Sequence, residues 1–263
     1  MWKCEQKQIM KKIFLLFSVI IAFLLIISTL AALLEIPANE NAMENSDSYN
    51  SNVIEASDSG WFLKHIYIIH YAKPDATGKP AKPSTSTCYK TFSKWITTPV
   101  SFTISTAITD ELTAEEMMSA ISTSAETWDA STSRELFNDA YSVIYALPFG
   151  ANDGTNALMF GEYSNTGVIA VTSIWYSRGK LGRIYDSDIL FNTHFTWGTT
   201  GNSSVMDLQN IATHELGHFI GLSDIYQSSC SSVTMYGYST EGDIAKRTLE
   251  QPDITGLQKL YGL

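Results

Sequence analysis

Hydrophobic and polar positions divide this chain into stretches of different character. Residues 13–34 form an uncharged apolar run, and residues 37–60 are rich in Asn, Ser, Glu and Asp with little to bury. A strongly apolar segment, residues 61–71, follows, and its pattern fits either a strand or a short docking segment. From about Cys88 onward, strand and helix patterns succeed one another, which predicts a folded domain over residues 88–263.

The first predicted elements of that domain are a strand and a helix. Val100, Phe102 and Ile104 alternate with small polar residues, as in a strand with one buried face. Thr113 and Glu116 form a capping box that would begin the helix, which carries an apolar stripe at helical spacing.

Further strands and two helices are predicted in the rest of the chain. The aromatic or β-branched segments, punctuated by glycines, are 141–147, 157–163, 167–176 and 183–192. Ser203 or Ser204 would cap a helix that runs to Leu222, and Gln251 begins a last helix. This order predicts an α/β (α+β) fold with a twisted, mixed sheet of roughly five strands.

Candidate chemistry is concentrated in the sequence HELGHFIGLSD, which begins at His214. His214 and His218 are four residues apart, so they share one helix face and can chelate a single zinc ion. Glu215 can reach a water on the metal without being a ligand, as a general base must. Gly221 can stop the helix and let Asp224 turn back as the third ligand. The bland alternative is an amphipathic helix with ordinary histidines, and the combined spacing favours a catalytic zinc site.

The N-terminal part of the chain carries the features of a targeting segment. The apolar run 13–34 follows four lysines, and Thr29 and Ala31 offer small residues for cleavage. Residues 1–36 are therefore predicted to be a signal peptide or an N-terminal membrane anchor, and the sequence leaves both open. In either case the rest of the chain would be secreted or lie on the extracellular face of the membrane. Residues 37–87 are predicted to be a linker or a pro-region.

Charge and cysteine content agree with an extracellular protein. The net charge of −10 argues against nucleic acid as a partner. Cys88 and Cys230 are the pair outside the N-terminal segment, and in an oxidising compartment a disulfide is favoured over two free thiols. We expect a monomer that contacts a membrane only through its N-terminal segment.

Other polar residues are weaker candidates. Asp186 and Asp188 precede an apolar run and could bind Ca²⁺, although solvated loop acids are the more common case. His65 and His70 are expected to be half-buried histidines rather than ligands. His194 has no partner at ligand spacing and is left out of the site.

The motifs resemble those of metzincin zinc peptidases, and within that clan of the matrixins. HELGHFIGLSD is similar to the clan motif HExxHxxGxxH/D, and Met235 falls where the clan has its Met-turn, beneath the zinc. The segments 188–192 and 253–257, with Trp197, resemble stretches of prokaryotic matrixin-like enzymes. The resemblance covers about residues 95–263 and implies a metzincin-like catalytic domain with one catalytic zinc ion, an active-site helix and a C-terminal helix.

The sequence also departs from the family pattern. Asp224 stands where a His is the commoner third ligand. Cys88 lacks the residues that surround the zinc-blocking cysteine of many matrixin pro-segments, so that switch is not transferred. Gly237 and Tyr238 replace the Pro-x-Tyr after the Met-turn, and Tyr238 is the candidate wall of a substrate pocket.

The resulting hypothesis is an extracellular zinc endopeptidase in which zinc-activated water hydrolyses a peptide bond with Glu215 as base. The substrate would be an extended peptide that adds to the sheet edge, against the 167–176 strand. The alternative is a non-catalytic, zinc-stabilised extracellular binding or adhesion domain. A purely structural site has no use for Glu215 beside its ligands, so this residue distinguishes the two.

Overall fold

The structure is a computed structural model that describes residues 63–73, 87–105, 107, 112–177 and 182–263. The predicted signal peptide or anchor, and the predicted linker apart from residues 63–73 and 87, lie outside the described residues. Within the described ranges, no helix is long and apolar enough to cross a membrane.

Strands dominate the first two thirds of the described chain, and two helices follow them. The strands are β1 Leu63–Ala72, β2 Thr103–Ser105, β3 Ser142–Ile144, β4 Ala157–Gly161, β5 Val168–Ser177, β6 Ile184–Asn192, β7 Trp197–Gly198, β8 Met206–Asp207 and β9 Tyr238–Ser239. The helices are α1 Ala114–Asp129, α2 Leu208–Phe219 and α3 Gln251–Tyr261. Short 3₁₀ turns occupy Ser228–Cys230 and Ala245–Arg247.

The main sheet has the strand order β3-β2-β4-β6-β5-β1-β9. Strands β3, β2, β4 and β6 are parallel, whereas β5 runs antiparallel to both β6 and β1. The five predicted strands correspond to β2–β6, so the mixed α/β sheet is confirmed. Two strands extend it: β1 shows that the apolar segment 61–71 forms a strand, and β9 pairs in parallel with β1.

Helices α1 and α2 pack against each other beside this sheet. The predicted apolar stripe of α1 is buried, including Met117, Ile121 and Trp128. The capping box is confirmed, because Thr113 accepts from the Glu116 amide and Glu116 accepts from the Thr113 amide. The Trp128 indole also donates to the Thr213 carbonyl at 2.8 Å, which fixes α1 against α2.

The ends of α2 differ from the prediction. Asp207, and neither Ser203 nor Ser204, is the N-cap, because its carboxylate accepts from the Asn210 amide at 2.9 Å. The helix ends at Phe219 rather than at Leu222. The reversal occurs at Gly221, whose φ of +104° is a left-handed conformation that strains other residues.

Cys88 and Cys230 form a disulfide with a Cα–Cα distance of 5.5 Å. Cys230 lies in the loop that follows Asp224, and Cys88 lies just before residues 90–92, which pair with the chain after α2. The bond therefore ties the loop of the third candidate ligand to the start of the compact domain.

Reduction of this disulfide is expected to lower the free energy of unfolding by about 5 kcal/mol, because the bond closes a loop of 142 residues in the unfolded chain. Denaturant midpoints with and without reductant measure the effect. The double variant Cys88→Ser/Cys230→Ser is the control and should not respond to reductant. Two thiols that alkylate freely in the oxidised, native protein would contradict the pairing.

Candidate active site

Helix α2 presents the two histidine side chains to one point. The Nε2 atoms of His214 and His218 are 3.0 Å apart and both residues are fully buried. The opposite ring nitrogens contact carbonyl oxygens, His214 Nδ1 with Thr234 at 2.7 Å and His218 Nδ1 with Leu222 at 2.9 Å. A carbonyl only accepts, so both Nδ1 atoms carry a proton, and in the neutral imidazoles both Nε2 atoms present lone pairs.

The turn at Gly221 brings Asp224 back to these nitrogens. A Cβ at Gly221 would overlap the Ser93 carbonyl, so the close approach of the two segments requires glycine. The amide of Phe92 donates to the Gly221 carbonyl at 3.0 Å and continues this pairing. Asp224 Oδ1 then lies 3.2 Å from His214 Nε2 and 3.4 Å from His218 Nε2.

The donor set fits a tetrahedral zinc ion. With zinc–ligand bonds of about 2.0–2.1 Å, neighbouring ligand atoms are separated by roughly 3.3 Å, which is close to the observed spacing. Asp224 Oδ1 is buried and has no hydrogen-bond partner, although both Nε2 atoms lie near it. Burial lowers the pKa of His214 to about 3, which favours the neutral imidazole that a metal requires. His214, His218 and Asp224 are therefore the residues that would hold zinc.

Glu215 lies beside this set and is fully buried. Its Oε2 accepts from the Thr172 hydroxyl on β5 at 2.5 Å, and its Oε1 is 3.1 Å from His70 Nδ1. Burial raises the pKa of Glu215 to about 7, against the opposing effects of His218 and Thr172. A carboxylate with this affinity for protons suits a general base at neutral pH.

Strand β1 covers the site. It pairs with β5 from Leu63 opposite Ser177 to Tyr71 opposite Val168. Its His70 ring packs on the His214 ring with a centroid distance of 3.9 Å and is fully buried. The expectation that His65 and His70 are half-buried was wrong, because they are 4% and 0% exposed. His70 lies 145 residues from its partner Glu215 in sequence, so no local signal indicates their contact.

The structure adds a residue that the sequence did not indicate, Lys246. It is 4% exposed, and its Nζ lies 3.1 Å from His70 Nε2 and donates to the Tyr236 carbonyl. Its backbone amide donates to Asn210 Oδ1 on α2 at 2.7 Å. No motif surrounds Lys246, and only the tertiary fold brings it to the site.

Met235 lies on the other side of α2. Tyr238 lies at the edge of the sheet. Met235 is fully buried against Gly217 of α2, where a Cβ would collide with its Sδ. Asp253 holds this turn by accepting from the Met235 amide at 3.1 Å. Tyr238 pairs with β1, and its ring lies 5.2 Å from that of Tyr226, whose hydroxyl donates to Asp224 Oδ2.

The two aspartates proposed for calcium bind backbone amides instead of facing solvent. Asp188 accepts from Gly150 at 2.7 Å and from Ala157 at 2.8 Å, and Asp186 accepts from Gly154 at 2.9 Å. Both are 1% exposed, so they are not solvated loop acids. The groups of candidate metal ligands found in the described ranges do not include either one, and the calcium site remains a prediction.

Comparison with known proteins places these observations in a family. The family model for the matrixins, peptidase family M10, matches residues 94–262. The hatching enzyme of Paracentrotus lividus is 30% identical over 166 residues, which cover 62% of this chain and 25% of the relative. Karilysin of Tannerella forsythia is 30% identical over 173 residues (65% and 34%), and matrilysin of Homo sapiens is 40% identical over 75 residues (28% and 27%). The matched region thus spans about a quarter to a third of the length of these relatives.

Replacement of the proposed third ligand should weaken metal binding. Asp224→Ala leaves two protein ligands, so we expect zinc occupancy to fall by at least about tenfold at limiting metal. Asp224→His should recover much of the binding, because imidazole is also a zinc donor. Zinc content after dialysis against a graded chelator measures both.

Asp243→Ala is the matched control. This aspartate belongs neither to the group His214, His218 and Asp224 nor to the second group of the described residues that could hold a metal ion, His70, His214 and Glu215. If Asp224→Ala retains zinc as tightly as the parent and Asp243→Ala does, Asp224 is not a ligand.

Proposed function

The chain belongs to the matrixin family, and from this membership we propose that it is an extracellular, zinc-dependent endopeptidase. The observation that carries the proposal is the position of Glu215, a fully buried carboxylate that follows His214 on α2 and lies beside three convergent ligand atoms. Burying a carboxylate is costly even when it is hydrogen-bonded to Thr172 and His70, so the place of Glu215 beside the three ligand atoms favours catalysis. A non-catalytic adhesion domain would need only the ligands.

Zinc bound by His214, His218 and Asp224 would lower the pKa of a water molecule and polarise the scissile carbonyl. Glu215 takes the proton of the attacking water at Oε1 and later delivers it to the leaving amine as the carbon–nitrogen bond breaks. Thr172 holds Oε2 at 2.5 Å, which orients the carboxylate throughout. The Nδ1 hydrogen bonds of the two histidines to Thr234 and Leu222 keep the imidazoles in the tautomer needed for binding.

The substrate proposed here is an extended peptide that pairs with β5. Strand addition satisfies the free amides and carbonyls of an edge strand, and it presents the peptide backbone along the site. In this chain, β1 already occupies that edge, antiparallel to β5 on one side and parallel to β9 on the other. We therefore propose that residues 37–87 are a pro-region whose β1 segment blocks the cleft until it is displaced.

An extracellular setting is supported by two features of the chain. The Cys88–Cys230 disulfide suits an oxidising compartment, and the apolar N-terminal run is typical of a signal peptide or anchor.

The variant Glu215→Gln is expected to lose peptidase activity by several orders of magnitude, because it removes the base and leaves every proposed ligand. Cleavage of a quenched peptide library by the zinc-loaded full chain measures the loss, and metal analysis shows whether zinc is retained.

Glu126→Gln, the same change at an exposed position of α1, is the control and should behave as the parent. Near-normal activity of Glu215→Gln with full zinc content would refute the role given to Glu215. Retention of parental activity after complete zinc removal by a chelator would refute zinc dependence.

Release of β1 is expected to activate the enzyme. A recognition site for an external protease, inserted between residues 74 and 86, allows the chain to be cut after β1 without loss of any residue. We expect activity to rise by at least about tenfold once residues 63–73 dissociate, because β5 and Glu215 become accessible. An uncut chain as active as the cut chain would contradict the blocking role.

A further inference from the structure

The pocket that holds the His70 side chain has a defined chemistry. The His214 ring forms one face of it, the Glu215 carboxylate lies at one side, and the Lys246 ammonium lies at its end. We call this the His70 pocket. The pocket belongs to the core of the domain, because all of these residues are at most 4% exposed.

Hydrogen-bond donors and acceptors in the His70 pocket can be assigned from chemistry alone. A lysine ammonium has three donors and no acceptor, so His70 Nε2 must accept from Lys246. The proton of the neutral imidazole then lies on Nδ1 and is donated to Glu215 Oε1. His70 thus makes two hydrogen bonds in the pocket: it donates to Glu215 and accepts from Lys246.

Lys246 has fewer acceptors than protons. One proton goes to His70 and another to the Tyr236 carbonyl. The third neighbour, His214 Nδ1 at 3.4 Å, already donates to Thr234 and has no lone pair to offer. No carboxylate lies within ion-pair distance of Lys246 in the part of the chain that the structure describes.

Strand β1 occupies the edge where a peptide substrate would pair, so His70 marks where one substrate side chain enters. We propose that the His70 pocket is a specificity pocket, and that Lys246 makes it select a substrate side chain with a terminal acceptor, namely Gln, Glu or His. This inference rests on the proposed peptidase function and names its substrate class.

The reason for this selectivity is whether the bound side chain gives the Lys246 ammonium a hydrogen-bond acceptor. An amide, carboxylate or imidazole replaces the acceptor that departs with His70. An aliphatic side chain leaves a buried donor unpaired, and a basic side chain places two cations face to face. Sites built to hydrogen-bond a substrate group discriminate strongly against analogues that lack it.

Lys246 is also held firmly enough to discriminate. Its amide is bound to Asn210 of α2, and the neighbouring Arg247 donates to Asp207, the N-cap of the same helix, at 2.8 Å. The ammonium therefore keeps a fixed place relative to His214 and Glu215 when β1 leaves.

The first test uses the cut, zinc-loaded chain with peptides that differ only in the residue taking the place of His70. We expect kcat/KM for Gln to exceed that for Leu by about 10- to 100-fold, with Lys cleaved more slowly than either. In Lys246→Met the preference should shift to Leu.

Lys259→Met, at the far end of the chain on α3, is the control and should keep the preference for Gln. A parent that prefers Leu, or a Gln preference that survives in Lys246→Met, overturns the inference.

The second test does not depend on activity. Hydrogen exchange of the β1 amides in the uncut chain reports how well residue 70 fits the pocket. His70→Gln should be protected about tenfold more than His70→Leu, and the order should reverse when Lys246→Met is added. An identical order in both backgrounds overturns the pocket assignment. If no peptide is cleaved by zinc-loaded protein but the exchange order reverses, the peptidase proposal fails while the pocket chemistry stands.

Discussion

Three atoms with lone pairs face one another at the centre of this molecule, and the rest of the site depends on their convergence. His214 Nε2, His218 Nε2 and Asp224 Oδ1 lie 3.0–3.4 Å apart, and when both imidazoles are neutral no proton lies between them. In a buried site this arrangement is repulsive unless a cation offsets it, so metal binding and folding of the reversal after Gly221 are coupled. The contacts of that reversal with residues 90–92, and the disulfide that begins at Cys88, stabilise the geometry that the metal needs.

The burial of Glu215 depends on a different part of the chain. Thr172 contacts one carboxylate oxygen from the sheet, and His70 contacts the other from β1. The same strand covers the edge of β5, which would otherwise offer unpaired backbone groups to other chains. Protection of the sheet edge and burial of Glu215 thus depend on the same strand. Displacement of β1 by a substrate would exchange one set of strand hydrogen bonds for an equivalent set.

Local signals predicted the fold well, and long-range contacts explain what was missed. The segments from 141–147 to 183–192 were correctly predicted as strands. Their signals, aromatic or β-branched residues between glycines, extend over only a few residues. The start of α2 was misplaced because Ser203 and Asp207 are both competent caps, and only the fold decides between them. The HELGHFIGLSD spacing predicted the meeting of His214 and His218 from helix geometry, and it predicted the return of Asp224 from the turn at Gly221. Neither His70 nor Lys246 could be placed in this way, since their contact joins residues 176 positions apart.

Helix α2 carries two of the proposed ligands and the proposed base, and it binds the backbone of Lys246. His214, His218 and Glu215 project from its one face, while Asn210 holds the backbone of Lys246 and donates to the Ser239 hydroxyl of β9 at 3.2 Å. On the opposite side, Asp253 binds the turn that packs Met235 under Gly217. A shift of α2 would therefore move the ligand atoms, the base and the pocket end together. Because the backbone of Lys246 is bound to α2 and Glu215 lies on that helix, a side chain that fits Lys246 would also set the register of the peptide backbone over Glu215.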